Sequence, residues 1–421
     1  MAHTYELQEV FGEWQTANAP TYVDRDGLDA KLAYLLKSSN LIVLHGESRQ
    51  GKTILQRKHL QEAQIIKINC SVGMSALNIK TEILRRMHAR IIMQVDETNG
   101  RDTTGEGGFD GGIDIPGIGK LGGKATVTHG VSHEAMTSSQ VIGDPNNINF
   151  LVEQWQRDKR RIVIDDFHYL SDQEQSQLAF DFKGLTENGV QLLVIGVWAN
   201  ANRLTTFNNQ LRTKELSIKW TDAELMQVLE LGEQALNIAI SKNIKNSLVR
   251  DASGSVGLLQ IITEALCQEE NIFGYQRERR TISNVFYLDA ARKRTCAEKY
   301  NSRFSEALRT IADGKNLSEG RMYEKILRAV VTMTDAELLN GVRPGKITKM
   351  IEALGLTEGK GNQGHVTQTL EKLNGLQEER RISPPIFYYD KSASQLRLVD
   401  RTFLFFRRNK TVSYPWENSD E

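Results

Sequence analysis

The segment from Leu41 to Thr53, which reads LIVLHGESRQGKT, constrains the fold more than any other part of the chain. Four apolar residues lead into a glycine loop of the form G-x-x-x-x-G-K-T, and the Ile54-Leu55-Gln56 run after it is compatible with a helix. This order of strand, glycine loop and helix is the setting that a phosphate-binding loop requires. The alternative is a glycine turn that matches by chance, and both flanking elements argue against it. The segment therefore predicts a site for a nucleoside triphosphate.

Each position of this loop has a predicted role. Gly46 and Gly51 let the backbone curl so that successive N–H groups point at a polyphosphate, and the helix that follows adds its N-terminal partial positive charge. Lys52 is predicted to neutralise β- and γ-phosphate oxygens, and the Thr53 hydroxyl to bind Mg²⁺. The predicted nucleotide contacts are Gly46, Glu47, Ser48, Arg49, Gln50, Gly51, Lys52, Thr53 and Ile54.

A second apolar strand, Ile162-Val163-Ile164, ends in two carboxylates, Asp165 and Asp166. Asp165 at the strand tip is predicted to hold Mg²⁺ or its water shell, and Asp166 to polarise the attacking water. A chance acidic turn is the alternative. The position of the pair, after helix-strand-helix elements that follow the glycine loop, favours the catalytic interpretation.

The composition limits the classes of protein to which this chain can belong. Its 421 residues suffice for two or three domains, and 53 basic residues balance 53 acidic ones, so the whole chain has no general attraction to nucleic acid or membrane. Cys70, Cys267 and Cys296 form no CxxC pair, which argues against a disulfide framework or zinc site. No apolar run reaches the ~20 residues of a membrane span, and the N-terminus lacks signal-peptide features. We expect a cytoplasmic protein without a membrane partner.

Residues 94–143 form a glycine-rich insertion with little helical periodicity. Two short alternating pieces, residues 112–115 and 124–128, predict a β-hairpin. So long an insertion in a compact core is unusual. Two interpretations stay open: a protruding hairpin that contacts DNA, a partner or a neighbouring subunit, or a mobile insertion. His129 and His133 have neither a helix nor a third ligand, so they do not indicate a metal site.

The last third of the chain has the pattern of a winged helix. Three predicted helices, residues 322–333, 346–354 and 364–373, precede two strands around a turn at Asp390-Lys391-Ser392. Residues 321–410 carry 16 basic and 10 acidic residues, an excess suited to phosphate contacts. The candidate side chains for DNA contact on the third helix are His365, Thr367, Gln368, Thr369 and Lys372. Winged helices also serve as protein-packing modules, so both roles stay open.

Together these pieces resemble the AAA+/STAND group of P-loop ATPases, including origin-recognition and archaeal-type ATPases that end in a winged helix. The resemblance covers about residues 20–410, and its specific parts are the loop from Gly46 to Thr53 and the strand end from Asp165 to Tyr169. It implies a five-stranded parallel core, ATP with Mg²⁺, assembly between protomers and nucleotide-gated switching. One departure is Val256-Gly257 in the lid turn, where AAA+ members commonly place an arginine. This departure favours a slow switch over a processive motor.

The resemblance also implies further site residues. Tyr22, Val23 and Arg25 are candidate adenine contacts, because P-loop ATPases often fold this segment over the base; a plain surface turn is the alternative. Asn200, after the fourth predicted strand, is the candidate for orienting water. Arg212 is the candidate finger for a neighbour's γ-phosphate, Arg203 is the second choice, and an ordinary surface arginine is the alternative.

The sequence thus predicts an α/β fold: a P-loop NTPase parallel-sheet core with a helical lid and a C-terminal winged-helix domain. The expected parts are an N-terminal arm (1–20), the core with its insertion (21–220), the lid (221–318), the winged helix (319–412) and a tail (413–421). The expected function is that of a Mg²⁺-dependent ATPase switch that forms homo-oligomers and engages double-stranded DNA or an effector protein, in phage or mobile-element defence or in DNA transactions. The alternative is an ATP-bound scaffold that barely hydrolyses and binds protein through its winged helix.

Overall fold

The computed structural model describes residues 4–12, 19–91, 143–197, 203–315, 317–357 and 361–417. The hairpin predicted within the glycine-rich insertion and the candidate Asn200 lie outside these ranges. In the described part of the chain, no helix is long and apolar enough to cross a membrane.

A five-stranded parallel sheet organises the first half of the chain. Its strands are β1 (Leu41–Gly46), β2 (Ile65–Asn69), β3 (Arg161–Asp165), β4 (Leu192–Val197) and β5 (Lys214–Ser217). The order across the sheet is β2-β3-β4-β1-β5, and every neighbouring pair is parallel. Because carboxyl ends of parallel strands share one edge, the loop after β1 and the carboxylates at the end of β3 meet there.

Helices cover both faces of this sheet. The helices of the first half are α1 (Leu7–Phe11), α2 (Leu28–Ser38), α3 (Lys52–His59), α4 (Ala76–Arg86), α5 (Ile148–Asp158), α6 (Asp172–Glu187) and α7 (Arg203–Phe207). One core lies between the sheet and α4, α5 and α6, and a second lies between the sheet and α2 and α3. The side chains of Ser75, Asn147 and Ser171 cap α4, α5 and α6 by accepting backbone N–H groups, which fixes where these helices begin. This burial on two faces explains why β1 and β3 read as unbroken apolar runs.

The second half is mainly helical. Its helices are α8 (Asp222–Leu236), α9 (Lys242–Ala252), α10 (Val256–Glu269), α11 (Val285–Cys296), α12 (Ser302–Asp313), α13 (Leu317–Thr332), α14 (Asp335–Asn340), α15 (Pro344–Ala353), α16 (Gln363–Glu379) and α17 (Thr402–Asn409). Two short strands, β6 (Ile238–Ile240) and β7 (Arg280–Ile282), pair in parallel. The strands β8 (Phe387–Asp390) and β9 (Gln395–Leu398) form an antiparallel hairpin, and Val342 adds an isolated bridge to Leu396.

One continuous hydrophobic core runs through this second half, from α8 to α17, and also takes in α1. Aromatic rings fill its centre: the Phe304 and Phe406 ring centroids are 5.0 Å apart, and Phe403 packs edge-on against Phe304 at 5.5 Å. The helices near the glycine loop and the C-terminal helices are therefore packed together. The boundary predicted between them, near residue 319, stays a prediction.

Candidate phosphate-binding site

Two glycines shape the loop that joins β1 to α3. Gly46 has φ 153°, and a Cβ atom there would lie 2.5 Å from the carbonyl oxygen of Ile218. Gly51, with φ 78°, caps α3 in the left-handed conformation. Side chains at these positions would clash or strain the backbone, so glycine is required for the chain to pass the end of the sheet and turn into the helix.

Lys52 crosses this loop from the first turn of α3. Its buried ammonium donates to the carbonyl oxygens of Gly46 (3.0 Å) and Glu47 (2.5 Å). Burial lowers the pKa of Lys52 to about 8, although Asp165, Asp166 and Glu47 all favour its charged form. A polyphosphate in the loop would add negative charge and hold Lys52 protonated. The loop therefore presents a fixed cation to an anionic ligand.

Two oxygens predicted to hold the metal ion lie side by side at the sheet edge. The Thr53 hydroxyl donates to Asp165 Oδ2 at 3.5 Å. Among the described residues no cluster of three His, Cys, Asp or Glu side chains exists that could enclose a metal. Two hard oxygen donors fit Mg²⁺, which usually takes one or two protein oxygens and completes its shell with phosphate oxygens and water. The residues present therefore fit this ion.

Lys67 on β2 is an additional charged residue at this point. Its ammonium lies 2.8 Å from Asp165 Oδ2, the oxygen that Thr53 also contacts. Sequence reasoning missed it because a lysine between Ile66 and Ile68 reads as the solvent-facing position of an alternating strand.

Asp166 differs sharply from its neighbour. It adopts the left-handed conformation (φ 58°), and its N–H donates to Asp165 Oδ1 at 3.0 Å. Burial and the charge of Asp165 raise the pKa of Asp166, while Lys52 and Lys67 oppose that rise. A carboxylate with raised proton affinity is better suited to take a proton from water than an ordinary one.

His168 lies in the short turn that follows these carboxylates. Burial and the nearby Lys52 lower its pKa to about 3, so the imidazole is neutral. Both ring nitrogens are buried and have no hydrogen-bond partner in the described structure. Because buried polar atoms cost free energy until they are hydrogen-bonded, His168 fits a site that receives a polar ligand. The sequence had placed it in the strand end from Asp165 to Tyr169 without indicating a role for it.

The predicted adenine contacts are brought together beside the loop. Tyr22, Val23 and Arg25 line one pocket with Gly51, Ile54, Trp220, Val256 and Gln260. Arg25 donates to the carbonyl oxygen of Gln50 at 2.7 Å, and its guanidinium lies over the Trp220 ring at 4.5 Å. Arg25 therefore braces the loop from outside. Contact of these side chains with a base stays a prediction.

The turn between α9 and α10 rests directly on the loop. Gln50 donates through Nε2 to the carbonyl oxygen of Gly254 (2.8 Å), and the N–H of Gly257 donates to the carbonyl oxygen of Arg49 (3.2 Å). A Cβ atom at Gly257 would lie 2.9 Å from the Cβ of Arg49. This close approach leaves no space for a side chain at Gly257.

An arginine from the far end of the chain reaches the same turn. Arg401, just before α17, forms an ion pair with Glu47 and donates to the carbonyl oxygen of Ser253 at 3.0 Å. Burial raises the pKa of Glu47, and Arg401 opposes this rise. The loop thus contacts both the α9–α10 turn and the C-terminal segment.

The first candidate finger residue, Arg212, is away from this site. Arg212 is exposed and lies two residues before β5. The pairing of Ile42 with Lys214 puts Arg212 level with the residue before β1, at the amino edge of the sheet. About six strand residues, roughly 20 Å, separate that level from the loop of the same chain. Arg203 begins α7, and Asn200 lies outside the described residues.

No protein-family model matches the sequence, and no curated protein is significantly similar to it. A solved Walker-type ATPase of Pyrococcus abyssi is similar in structure, with a TM-score of 0.50 and 13% identity over 95% of this chain and 99% of that chain. At this identity the likeness shows a shared fold and no more. The α/β fold class with a parallel P-loop core, predicted from the sequence, is confirmed.

Two other solved structures match less well. The RuvB branch-migration motor of Thermotoga maritima has a TM-score of 0.38 and 12% identity over 90% of this chain and 94% of that chain. Domain III of the replication initiation protein DnaA from the same organism has a TM-score of 0.35 and 11% identity over 68% of this chain and 95% of that chain. At these scores the likenesses say nothing about function.

Proposed function

We propose that this chain is a Mg²⁺-dependent ATPase that acts as a nucleotide-gated switch. The observation that carries the proposal is the convergence of the Lys52 ammonium, the Thr53 hydroxyl and the Asp165 carboxylate at one edge of the sheet. A cation within a glycine loop suits the β- and γ-phosphates, and the two oxygens beside it suit the divalent ion. The structural likeness to the Walker-type ATPase of Pyrococcus abyssi supports this by analogy.

Different side chains bind the phosphates, bind the metal ion and accept the proton during hydrolysis. Lys52 and the N–H groups of the loop hold the phosphates in place, while Thr53 and Asp165 would hold Mg²⁺, which supplies further charge neutralisation when bound. Asp166 accepts a proton from water as the water oxygen bonds to the γ-phosphorus and the bond to the β-phosphate oxygen breaks, leaving ADP. The raised pKa of Asp166 supports its role as the base.

The switch follows from what rests on the loop. Glu47 contacts Arg401, and Gln50 contacts the turn at Gly254, so movement of the loop between nucleotide states alters both contacts. The continuous core behind them links the α9–α10 turn to the C-terminal helices. We infer that the nucleotide state is read out at the C-terminal part.

We further propose that the C-terminal part is a winged helix that engages double-stranded DNA. The helices α13, α15 and α16 followed by the β8–β9 hairpin support this arrangement. An open cleft beside α15 is lined by Arg343, Lys346, Lys349, Gln363 and Thr367 among others. Its charge suits phosphate oxygens. Thr369 is buried and donates to the carbonyl oxygen of His365, so its side chain is withdrawn from the set predicted to contact DNA.

Self-association completes the proposal. Because Arg212 is exposed and roughly 20 Å from the loop of its own chain, any γ-phosphate it contacts belongs to a neighbouring copy. We therefore propose a homo-oligomer with Arg212 as the finger that acts in trans.

Steady-state ATP turnover measured across protein concentrations, with and without double-stranded DNA at low salt, tests this function. We expect turnover per chain to rise with protein concentration and with DNA, and the DNA effect to weaken steeply with salt as counterions are released. Lys52→Ala should abolish nucleotide binding, whereas Lys31→Ala, which removes an exposed lysine paired with Asp26, should match the wild type.

The outcomes separate the parts of the proposal. Tight ATP binding by Lys52→Ala would contradict the assignment of the loop. Slow turnover that ignores both protein concentration and DNA would reject the DNA-engaging oligomer in favour of an ATP-bound regulator whose C-terminal part binds protein.

A further inference from the structure

The ammonium of Lys67 lies against Asp165, the carboxylate predicted to bind the metal ion. Its side chain is 22% exposed, and its ammonium lies 2.8 Å from Asp165 Oδ2. The same oxygen accepts from the Thr53 hydroxyl, and Asp165 Oδ1 accepts from the N–H of Asp166. Both carboxylate oxygens of Asp165 therefore already have partners supplied by the chain itself.

This arrangement has an electrostatic reason. Asp165 is 5% exposed, and a buried carboxylate is costly unless it is paired. Asp166 follows directly, so two acidic groups share this strand end. Lys67 reaches along β2, the edge strand that neighbours β3, to supply a positive charge there. In proteins a divalent cation beside carboxylates commonly supplies such charge.

We propose that Lys67 is a built-in counter-ion of Asp165 that Mg²⁺ displaces, so that Lys67 sets how strongly nucleotide binding depends on Mg²⁺. The inference rests on the proposed ATP site. Without the divalent ion, Lys67 compensates Asp165 and reduces repulsion between the acidic pair and the phosphates. When Mg²⁺ is present, the ammonium of Lys67 competes with it for Asp165 Oδ2, the oxygen that Thr53 also contacts. Its presence thus raises affinity for metal-free nucleotide and lowers affinity for the metal.

A purely structural role is the competing explanation, because the ion pair also joins β2 to β3. That role predicts a lower free energy of unfolding when Lys67 is neutralised, with no change in the Mg²⁺ dependence of binding. The ratio of nucleotide affinities with and without Mg²⁺ distinguishes the two roles, since a change in fold stability alone shifts both affinities alike.

The test is calorimetric titration of the full chain with a non-hydrolysable ATP analogue, once in Mg²⁺ and once in EDTA. For Lys67→Met, which removes the charge but keeps the length, we expect the affinity for the analogue in EDTA to fall about tenfold or more. Without Lys67 the acidic pair and the phosphates repel one another, and unit charges a few ångströms apart imply an effect of this size. Affinity in Mg²⁺ should hold or rise. Lys67→Arg should keep the wild-type ratio, and so should Lys31→Met, the matched loss of an exposed paired lysine.

Each result bears on the inference. A ratio that is the same in the wild type and Lys67→Met overturns it. Failure of the wild type to bind the analogue under either condition overturns the proposed ATP site instead. Should Lys67→Met not fold by circular dichroism, Lys67→Thr, a neutral residue suited to a strand, provides the same comparison. A rise in the ratio for the neutral variant, with Lys67→Arg unchanged, supports the displaced counter-ion.

Discussion

Asp165 and Asp166 are adjacent in sequence, yet their surroundings give them different chemistry. Asp165 ends β3 with its carboxylate held by Lys67, Thr53 and the N–H of Asp166. Asp166 leaves the strand in the left-handed conformation, and burial and its acidic neighbour raise its pKa. Neighbouring carboxyl groups in different surroundings commonly take separate roles in a reaction. We assign the binding of Mg²⁺ to Asp165 and proton transfer to Asp166.

Asp166→Asn separates these roles. Since the amide cannot accept the proton of the attacking water, ATP turnover should fall by about 10²-fold or more, while ATP affinity stays close to that of the wild type. Phosphate release and equilibrium binding measure the two quantities. Glu187→Gln, which removes an exposed carboxylate that pairs with Lys183, is the control and should turn over normally. Unchanged turnover in Asp166→Asn would remove it as the base.

Among the elements, the start of α10 is packed directly against the glycine loop. The Gly257 backbone approaches Arg49 so closely that a side chain has no space, although helix propensity favours most other residues over glycine. Local propensity and tertiary contact therefore oppose one another at this glycine. The tertiary contact decides the residue.

Gly257→Ala tests that balance. Gly257 is the second residue of α10, so alanine there gains at most about 1 kcal/mol of helix propensity. A Cβ atom 2.9 Å from the Cβ of Arg49 costs roughly 1–3 kcal/mol, so we expect no gain or a net loss in the free energy of unfolding. Gly375→Ala in α16 is the matched control, since nothing lies within 4 Å of its added Cβ, and it should be stabilised. Urea unfolding of both variants gives the comparison. Equal stabilisation would show that the glycine loop moves to accommodate the added methyl group.

The elements also show why only part of the site could be predicted. The apolar runs of β1 and β3 end in a glycine loop and in carboxylates, so sequence order alone located Lys52, Thr53 and Asp165. Strands β6 and β7 have three residues each and were hidden by the helical pattern around them. The position of Lys67 beside Asp165 depends on which strands neighbour each other, information that a single strand does not carry.

At the scale of the whole molecule, the Glu47–Arg401 pair joins the beginning of the P-loop to the end of the chain. No local pattern could have predicted it, because the contact exists only once the sheet, the α9–α10 turn and the C-terminal helices have packed together. The glycine loop is consequently in contact with the end of the sheet, the α9–α10 turn and the C-terminal segment.

Arg401→Met should lower the free energy of unfolding by roughly 1–3 kcal/mol at neutral pH, because the largely buried Glu47 carboxylate loses its ion-pair partner. Burial already raises the pKa of Glu47, and loss of Arg401 raises it further. The deficit should therefore shrink as pH falls through that raised pKa, where Glu47 becomes protonated and needs no cation.

Urea unfolding of wild type and variant at neutral and mildly acidic pH measures this deficit. In Arg401→Met/Glu47→Gln the loss should be smaller than in Arg401→Met alone, since no buried charge is left unpaired. A deficit that is constant with pH would mean that Arg401 acts through packing and not through the charge of Glu47.

The distance between Arg212 and the loop of its own chain determines how many complete catalytic centres an assembly contains. With Arg212 as the proposed finger, a complete catalytic centre belongs to the junction between two copies and not to either copy. A closed ring of n chains has n such junctions, and an open linear assembly of n chains has n − 1. A dimer of the open kind would thus work at half the rate per chain of a ring, and a lone chain would have nothing to complete its centre.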